Sequence, residues 1–229
     1  MPQIPKEVII EWDAYNWGRS LSFWKSQYRL DFADKVSLEI GSRNGGLSLW
    51  LASMGASVVC SDLFGPTEKA KKRHMEYGLS KNISYGVIDA TAIPYKNHFD
   101  IVIFKSVLGG IGMNNNIEKQ KVAIDSMYAA LRPGGWLLFA ENMVSTKIHM
   151  IFRRIGTPWG REWRYITEPE MKLLLNKFEN VCFDIIGFSG AFGRTEKQRK
   201  ILGIADYYFF EKIVPNTWKY ILLGAARKP

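Results

Sequence analysis

Cysteine is nearly missing from this chain. There are two among 229 residues, Cys60 and Cys182, each inside a hydrophobic, strand-like run. That count and spacing exclude a disulfide scaffold and a cysteine-based metal site. They read as buried, reduced thiols of a cytosolic protein. Histidine is scarce as well, with three, and no His, Asp or Glu cluster has metal-ligand spacing, so a metal-independent chemistry is expected. Long apolar runs are absent: "IVIF" and "WLLFA" fall far below the roughly 20 residues a spanning helix needs. The first stretch, "MPQIPKEVIIEWDAYNW", has an early proline, acids and no long apolar core, and does not read as a secretory signal. Neither a low-complexity tail nor an internal repeat is visible. Acids are in deficit, 22 against 31 Lys and Arg, for a net charge of +9. Such a balance favours an anionic partner, whether nucleic acid, a phosphorylated substrate or an anionic membrane surface; a basic solvated surface would give the same count.

What is present is core material. With 47% hydrophobic and 14% aromatic residues, the chain suits one large α/β domain over 1–229. Trp17, Leu21, Trp24 and Tyr28 at helical spacing predict a helix within 11–30. Strands are expected at 36–41, 57–62, 83–89, 99–104 and 136–142, with helices at 47–55, 66–79 and 116–131 between them. The 99–104 run is continuous enough to be buried on both faces. This alternation predicts a mainly parallel sheet covered by helices on both sides. Beyond it, 147–166 reads as basic, aromatic and irregular, and 167–178 as a helix capped by Thr167. Strands at 181–188 and 218–227 enclose a helical excursion at 195–213.

The stretch "SLEIGSRNGGLSLWLASMGASVVCSDL" carries the chemistry. A glycine-rich turn after a first parallel strand lets the backbone approach a ligand at the carboxyl ends of the strands. Asp62, closing the next strand, is placed to accept from both hydroxyls of a ribose. A dinucleotide fingerprint would need a second glycine where Arg43 stands, and Glu39 would repel a pyrophosphate. A Walker A loop would need a lysine that "GGLS" lacks. Glu39 suits a ligand with a positive end, such as an amino-acid ammonium joined to a ribose.

Four ordered motifs then resemble the class I S-adenosylmethionine-dependent methyltransferases: "LEIGSRNGG", "VVCSDL", "IDATAIPYKNHFDIVIFKSVL" and "ALRPGGWLLFAE", together covering about 36–142. The resemblance implies a Rossmann-like sheet of seven strands, mainly parallel with one antiparallel strand near the C-terminus, and S-adenosyl-L-methionine as cofactor. It implies that Glu39 receives the methionine ammonium, directly through backbone or by a water. Gly41, Ser42 and Gly45 would form the turn under the methionine and ribose. Asp62 would hold the ribose, Leu63 would pack on the adenine, and Asp89 and Ala90 would meet its edge. Lys105 and Ser106 would border the sulfonium and the acceptor. Arg43 departs from the family's frequent glycine. The turn is expected to tolerate it at negative φ, with its guanidinium either on the cofactor carboxylate or lying over the helix.

For the acceptor, a neutral hydroxyl needs a base, whereas an ionised acid needs none. His149 and Glu141, at and beyond the fifth strand, are the candidate bases, while His74 and His98 read as surface residues. Lys147, Arg153, Arg154, Arg161 and Arg164, interleaved with Phe152, Trp159, Trp163 and Tyr165, suit an anionic, ring-containing acceptor, or else a lid over the core. The stretches "WGRSLSFW" and "WKYILLGAARKP" look like small methyltransferases of bacterial cell-surface polysaccharide pathways, which points to a saccharide hydroxyl. RNA is the rival acceptor, weakened because "KSVLGGIG" stands where base-amine methyltransferases often carry N/D-P-P-Y/F. A non-catalytic binding protein of this fold is the further alternative. A cytoplasmic location is expected, with peripheral contact at the inner membrane through 195–213.

Overall fold

The computed structural model describes residues 4–28, 32–156 and 162–229. Three short helices come first: α1 (Lys6–Ile10), α2 (Ala14–Trp17) and α3 (Arg19–Tyr28). The alternating part follows as β1 (Val36–Ile40), α4 (Gly46–Ser53), β2 (Ser57–Asp62), α5 (Glu68–Glu76), β3 (Ile83–Val87) and β4 (Phe99–Lys105). After a turn of helix, α6 (Leu108–Ile111), come α7 (Ile117–Ala130) and β5 (Leu131–Asn142). The last third holds α8 (Lys147–Gly156), α9 (Glu168–Leu174), β6 (Glu179–Ile186), α10 (Glu196–Ala205), a π-helical turn (Asp206–Phe210), α11 (Glu211–Ile213) and β7 (Ile221–Arg227).

The seven strands form one sheet in the order β3-β2-β1-β4-β5-β7-β6. Strands β1 to β5 pair in parallel, and β7 runs antiparallel to both β5 and β6. This is the Rossmann-like α/β fold expected, with its one antiparallel strand near the C-terminus. Strand β4 shows why the sheet must be covered twice. Ile101 and Ile103 point into a cluster with Trp17, Trp24 and Trp50, while Val102 and Phe104 point into another with Ile124 and Met127. Alternate residues of one fully buried strand feed both cores.

Two elements differ from the sequence expectation. Residues 147–156 form helix α8 instead of irregular chain. Strand β5 begins at Leu131, directly after α7, because Leu131 pairs with Phe99 before a bulge restores the register at Ile101–Trp136. Among the described residues no helix is long and apolar enough to cross a membrane.

The topology gathers the functional positions. The carboxyl ends of β1, β2, β3, β4 and β5 share one sheet edge, and β6 ends there too. The entry to β7 lies at the same edge, because it runs the opposite way. Helices α1, α2, α8 and α10 roof this edge.

Candidate functional site

The turn after β1 is held in a left-handed zigzag: Gly41, Arg43 and Gly45 have φ of 66°, 48° and 66°. Gly41 is also sterically fixed, since a Cβ there would come within 2.6 Å of Val107 Cγ2. The expectation of negative φ at Arg43 is therefore corrected. A non-glycine residue in this region costs about 1 kcal/mol or more. Hydrogen bonds offset the strain: Arg43 N–H donates to Asp62 Oδ2 at 2.9 Å, and Arg43 O accepts from Thr67 N–H at 3.1 Å. Ser42 N–H donates to Ser61 O at 2.9 Å. The strain thus aims the loop backbone at Asp62, and the Arg43 side chain is left exposed.

Glu39 lies under this turn, 4% exposed. Its Oε2 accepts from Ser48 N–H at 2.8 Å and from the Ser48 hydroxyl, so it caps the first turn of α4. Burial pushes its carboxyl up to about 7, although the Ser48 bonds and the nearby Lys105 ammonium pull the other way. His74 is a second support, and not the surface residue that its charged helix suggests. It is fully buried, with Nε2 2.9 Å from Gly45 O and Nδ1 3.0 Å from the Tyr85 hydroxyl. A carbonyl can only accept, so Nε2 carries the proton and Nδ1 accepts from Tyr85. Burial lowers the His74 pKa and keeps the ring neutral.

Asp62 ends β2 beside Leu63 and Phe64, which are 50% and 90% exposed and form an open apolar platform. Across the β2–β3 pair, Asp62 is level with Val87, and Ile88 N–H donates to Asp62 O. Asp89 therefore stands close by. Its Oδ1 accepts from Thr91 N–H at 2.8 Å and Thr91 Oγ1 at 2.7 Å, which holds its pKa below the usual value. Ala90 is buried beside it.

Lys105 ends β4 with Nζ 5.2 Å from the Trp17 ring centroid, a cation–π contact. Burial lowers its pKa, opposed by the carboxylates of Glu11, Glu39 and Glu141. Ser106, at φ 57°, accepts from Asn142 Nδ2 at 2.6 Å. The N-terminal segment closes over this corner. Glu11 accepts from Asn44 Nδ2 at 3.0 Å and Arg73 Nη2 at 2.6 Å, while Arg73 Nη1 donates to Val8 O and Asn44 O. Gly46 permits the approach, because a Cβ there would meet Ile9 O at 1.9 Å.

The two expected bases are used elsewhere. Glu141 is fully buried; Oε2 accepts from Val107 N–H and Leu108 N–H, both at 2.8 Å, and Oε1 from Asn142 N–H at 2.8 Å. It anchors the loop after β4 in place of facing an acceptor. His149 is 1% exposed, with Nε2 2.7 Å from Phe188 O and Nδ1 2.6 Å from Thr146 Oγ1. Both ring nitrogens are engaged, and burial lowers its pKa. In this structure each supports neighbouring chain through these bonds. The arginines are committed as well. Arg153 Nη1 donates to Met143 O at 2.6 Å with its guanidinium 4.4 Å from the Tyr165 ring. Arg164 bonds Gln120 and Glu170. Trp163 packs on Gly109 and Gly110. Trp159 and Arg161 lie outside the described residues.

Sequence reasoning missed the polar keystone of the roof. The Tyr220 hydroxyl donates to Asp13 Oδ2 and accepts from Asn16 Nδ2 at 2.9 Å. Asp206 accepts from Phe188, Ser189 and Gly190 N–H groups at 2.9, 2.7 and 2.9 Å. Asp13, fully buried and at φ 45°, has its carboxyl pushed up by burial to about 7. An acid and an amide among the tryptophans of "EWDAYNW" were the available signal. Past the same edge lies an apolar groove of about 660 Å³, lined by Thr146, Lys147, Ile148, Phe152, Phe188, Phe192 and Trp218.

Residues 38–139 match the methyltransferase domain family model. The chain is 23% identical over 208 residues to the ubiquinone/menaquinone biosynthesis C-methyltransferase UbiE of Coxiella burnetii, covering 78% of this chain and 81% of that protein. Its fold is similar to Haemonchus contortus phosphoethanolamine N-methyltransferase 2 in complex with S-adenosyl-L-methionine, at TM-score 0.67 and 17% identity. That match covers 93% of this chain but 53% of the larger protein. It is likewise similar to Burkholderia thailandensis 1,6-didemethyltoxoflavin-N1-methyltransferase with bound 1,6-didemethyltoxoflavin and S-adenosylhomocysteine. There the TM-score is 0.60 at 16% identity, over 92% of this chain and 76% of that one.

Proposed function

We propose that this chain, a class I S-adenosylmethionine-dependent methyltransferase, methylates a small ring-bearing acceptor that has an apolar body and an ionisable oxygen. The observation that carries this reading is the apolar groove at the same sheet edge as the turn of Gly41 to Gly45. A concave, apolar site with few polar groups is the usual form of a small-molecule pocket.

The residues fit the cofactor. Its sulfonium supplies the methyl group already activated, so the protein's part is to align acceptor and donor. Glu39 accepts the ammonium, and the Gly41–Gly45 backbone passes under the methionine and ribose. Asp62 holds the ribose hydroxyls, with Leu63 and Phe64 as the apolar platform for the adenine. Asp89 and Ala90 meet the adenine edge. Lys105, half-buried between this turn and Trp17, holds the acceptor's oxygen in its anionic form. An oxyanion on a ring makes the oxygen itself, or the adjacent ring carbon, nucleophilic toward the methyl group; after transfer to carbon the ring proton leaves to solvent and restores the aromatic oxyanion. This agrees with His149 and Glu141 being spent on the backbone.

Several relatives are named as quinone-pathway C-methyltransferases, and that acceptor chemistry suits an apolar groove. The saccharide reading rested on the stretches "WGRSLSFW" and "WKYILLGAARKP" together with the arginines and aromatics of 147–166, of which Arg153 and Arg164 are bonded within the protein itself. Incubation with labelled cofactor and separate pools of phenolic lipids, glycans and RNA tests the proposal. Label should enter the organic-soluble phenolic fraction; label in glycan or RNA alone contradicts it.

A further inference from the structure

Two neighbouring elements of the roof are built inside out. An amphipathic helix ordinarily turns its apolar stripe inward. In α8 the polar residues His149 and Arg153 face the protein and bond its backbone. Ile148 and Ile151 stand 59% and 53% exposed on the other face. The π-helical turn repeats the inversion. Asp206 is fully buried on three backbone N–H groups, while Tyr208 and Phe209 are 65% and 57% exposed.

Ring contacts join these surfaces into one face. Phe152 lies 5.2 Å from Phe192 and Phe188 lies 6.1 Å from Trp218, all four lining the groove. Phe188 is also 5.8 Å from Phe210, which touches Phe209 at 5.2 Å. Exposed apolar area of this extent on a soluble domain marks an interaction site.

Charge selects the partner. The exposed cations Lys147, Arg194 and Lys212 stand among these side chains, and the Arg194 guanidinium lies 5.2 Å from the Phe152 ring. The acids on and beside these elements are paired, Glu196 while still exposed. Asp206 holds the 188–190 backbone, Glu211 is paired with Arg19, and Glu196 accepts from Asp13 and Ala14 N–H groups. What remains outward is basic and rich in aromatic and branched apolar groups. That combination suits the headgroup–acyl boundary of an anionic bilayer, where rings and aliphatic side chains enter and lysines meet the phosphates.

We infer that α8, the π-helical turn and Trp218 form a membrane-docking face that seats on an anionic lipid surface, with the apolar groove opening toward the bilayer. An acceptor with an apolar body would then enter from the lipid without crossing water; in that respect the inference rests on the proposed acceptor, though the face itself does not.

Vesicle co-sedimentation tests it. The full chain should pellet with phosphatidylglycerol/phosphatidylcholine vesicles and not with pure phosphatidylcholine. Ile151→Glu combined with Phe209→Glu, two exposed positions outside the groove lining, should weaken partition about tenfold. Calorimetry with S-adenosylhomocysteine, run on both proteins, should give equal affinity. That separates loss of docking from misfolding, and a negative vesicle result from a failure of the methyltransferase site. Wild-type protein that ignores anionic vesicles, or a double variant that pellets equally, overturns the inference. So does a wild-type dimer, by light scattering, that the variant dissolves without any vesicle binding.

Discussion

At the residue scale, two atypical side chains, one beneath the turn after β1 and one within it, make measurable statements. Glu39 is a buried acid raised to about 7. A raised acid favours the protonated folded state, so its contribution to stability is present below the ordinary carboxylate range. It is lost as pH rises through about 7. The bound ammonium needs the opposite form. Affinity for S-adenosylhomocysteine should therefore increase from about pH 6 to about pH 8 as Glu39 ionises, and Glu39→Gln should flatten that rise in a calorimetric pH series. Arg43 stores strain at φ 48°. Arg43→Gly should relieve it and raise stability by about 0.5 to 1 kcal/mol, read by urea unfolding, since glycine adopts this region freely. The same variant tests the guanidinium, because a grip on the cofactor carboxylate predicts weaker binding despite the gain in stability.

At the element scale, α1 is held by a clasp at its end. Glu11 joins Asn44 of the turn to Arg73 of α5, tying α1 to both. Glu11→Ala should cost about 1 to 3 kcal/mol, the loss of hydrogen bonds to charged groups. It should also expose the first 17 residues to limited proteolysis, with cofactor present or absent.

Which elements could be read in advance follows from the same physics. Strand β2 falls at Ser57–Asp62 as expected, because a short β-branched run between Gly55 and Asp62 leaves no alternative. Thr167 caps α9 with Glu170 in a reciprocal box, a local signal that sequence carries fully. Helix α8 was legible and was missed, since 148, 151, 152 and 155 are apolar at the helical period; what sequence did not carry is the direction it faces, with Ile148 and Ile151 outward and His149 and Arg153 inward. Glu39 and Asp62, expected to meet the cofactor, sit at or near strand ends, where spacing singles them out. The roles of His149, Glu141 and His74 depend on backbone partners distant in sequence, such as Phe188 O, Val107 N and Gly45 O. No local pattern encodes those partners.

At the scale of the whole molecule, one sheet edge brings together residues from every part of the chain. The glycine-rich turn comes from β1, Asp62 from β2, Lys105 from β4, and the roof from segments as far apart as Asp13 and Tyr220. That convergence makes the proposed cofactor site a property of the fold, with Asp62 as its central residue: it holds the turn through Arg43 N–H and is proposed to hold the ribose. The direct measurement is titration calorimetry of S-adenosylhomocysteine against the wild-type chain and Asp62→Ala. One site per chain is expected for the wild type, and affinity at least about tenfold weaker for the variant, through the loss of charge-assisted hydrogen bonds. No binding by the folded wild type, or equal binding by the variant, would contradict it.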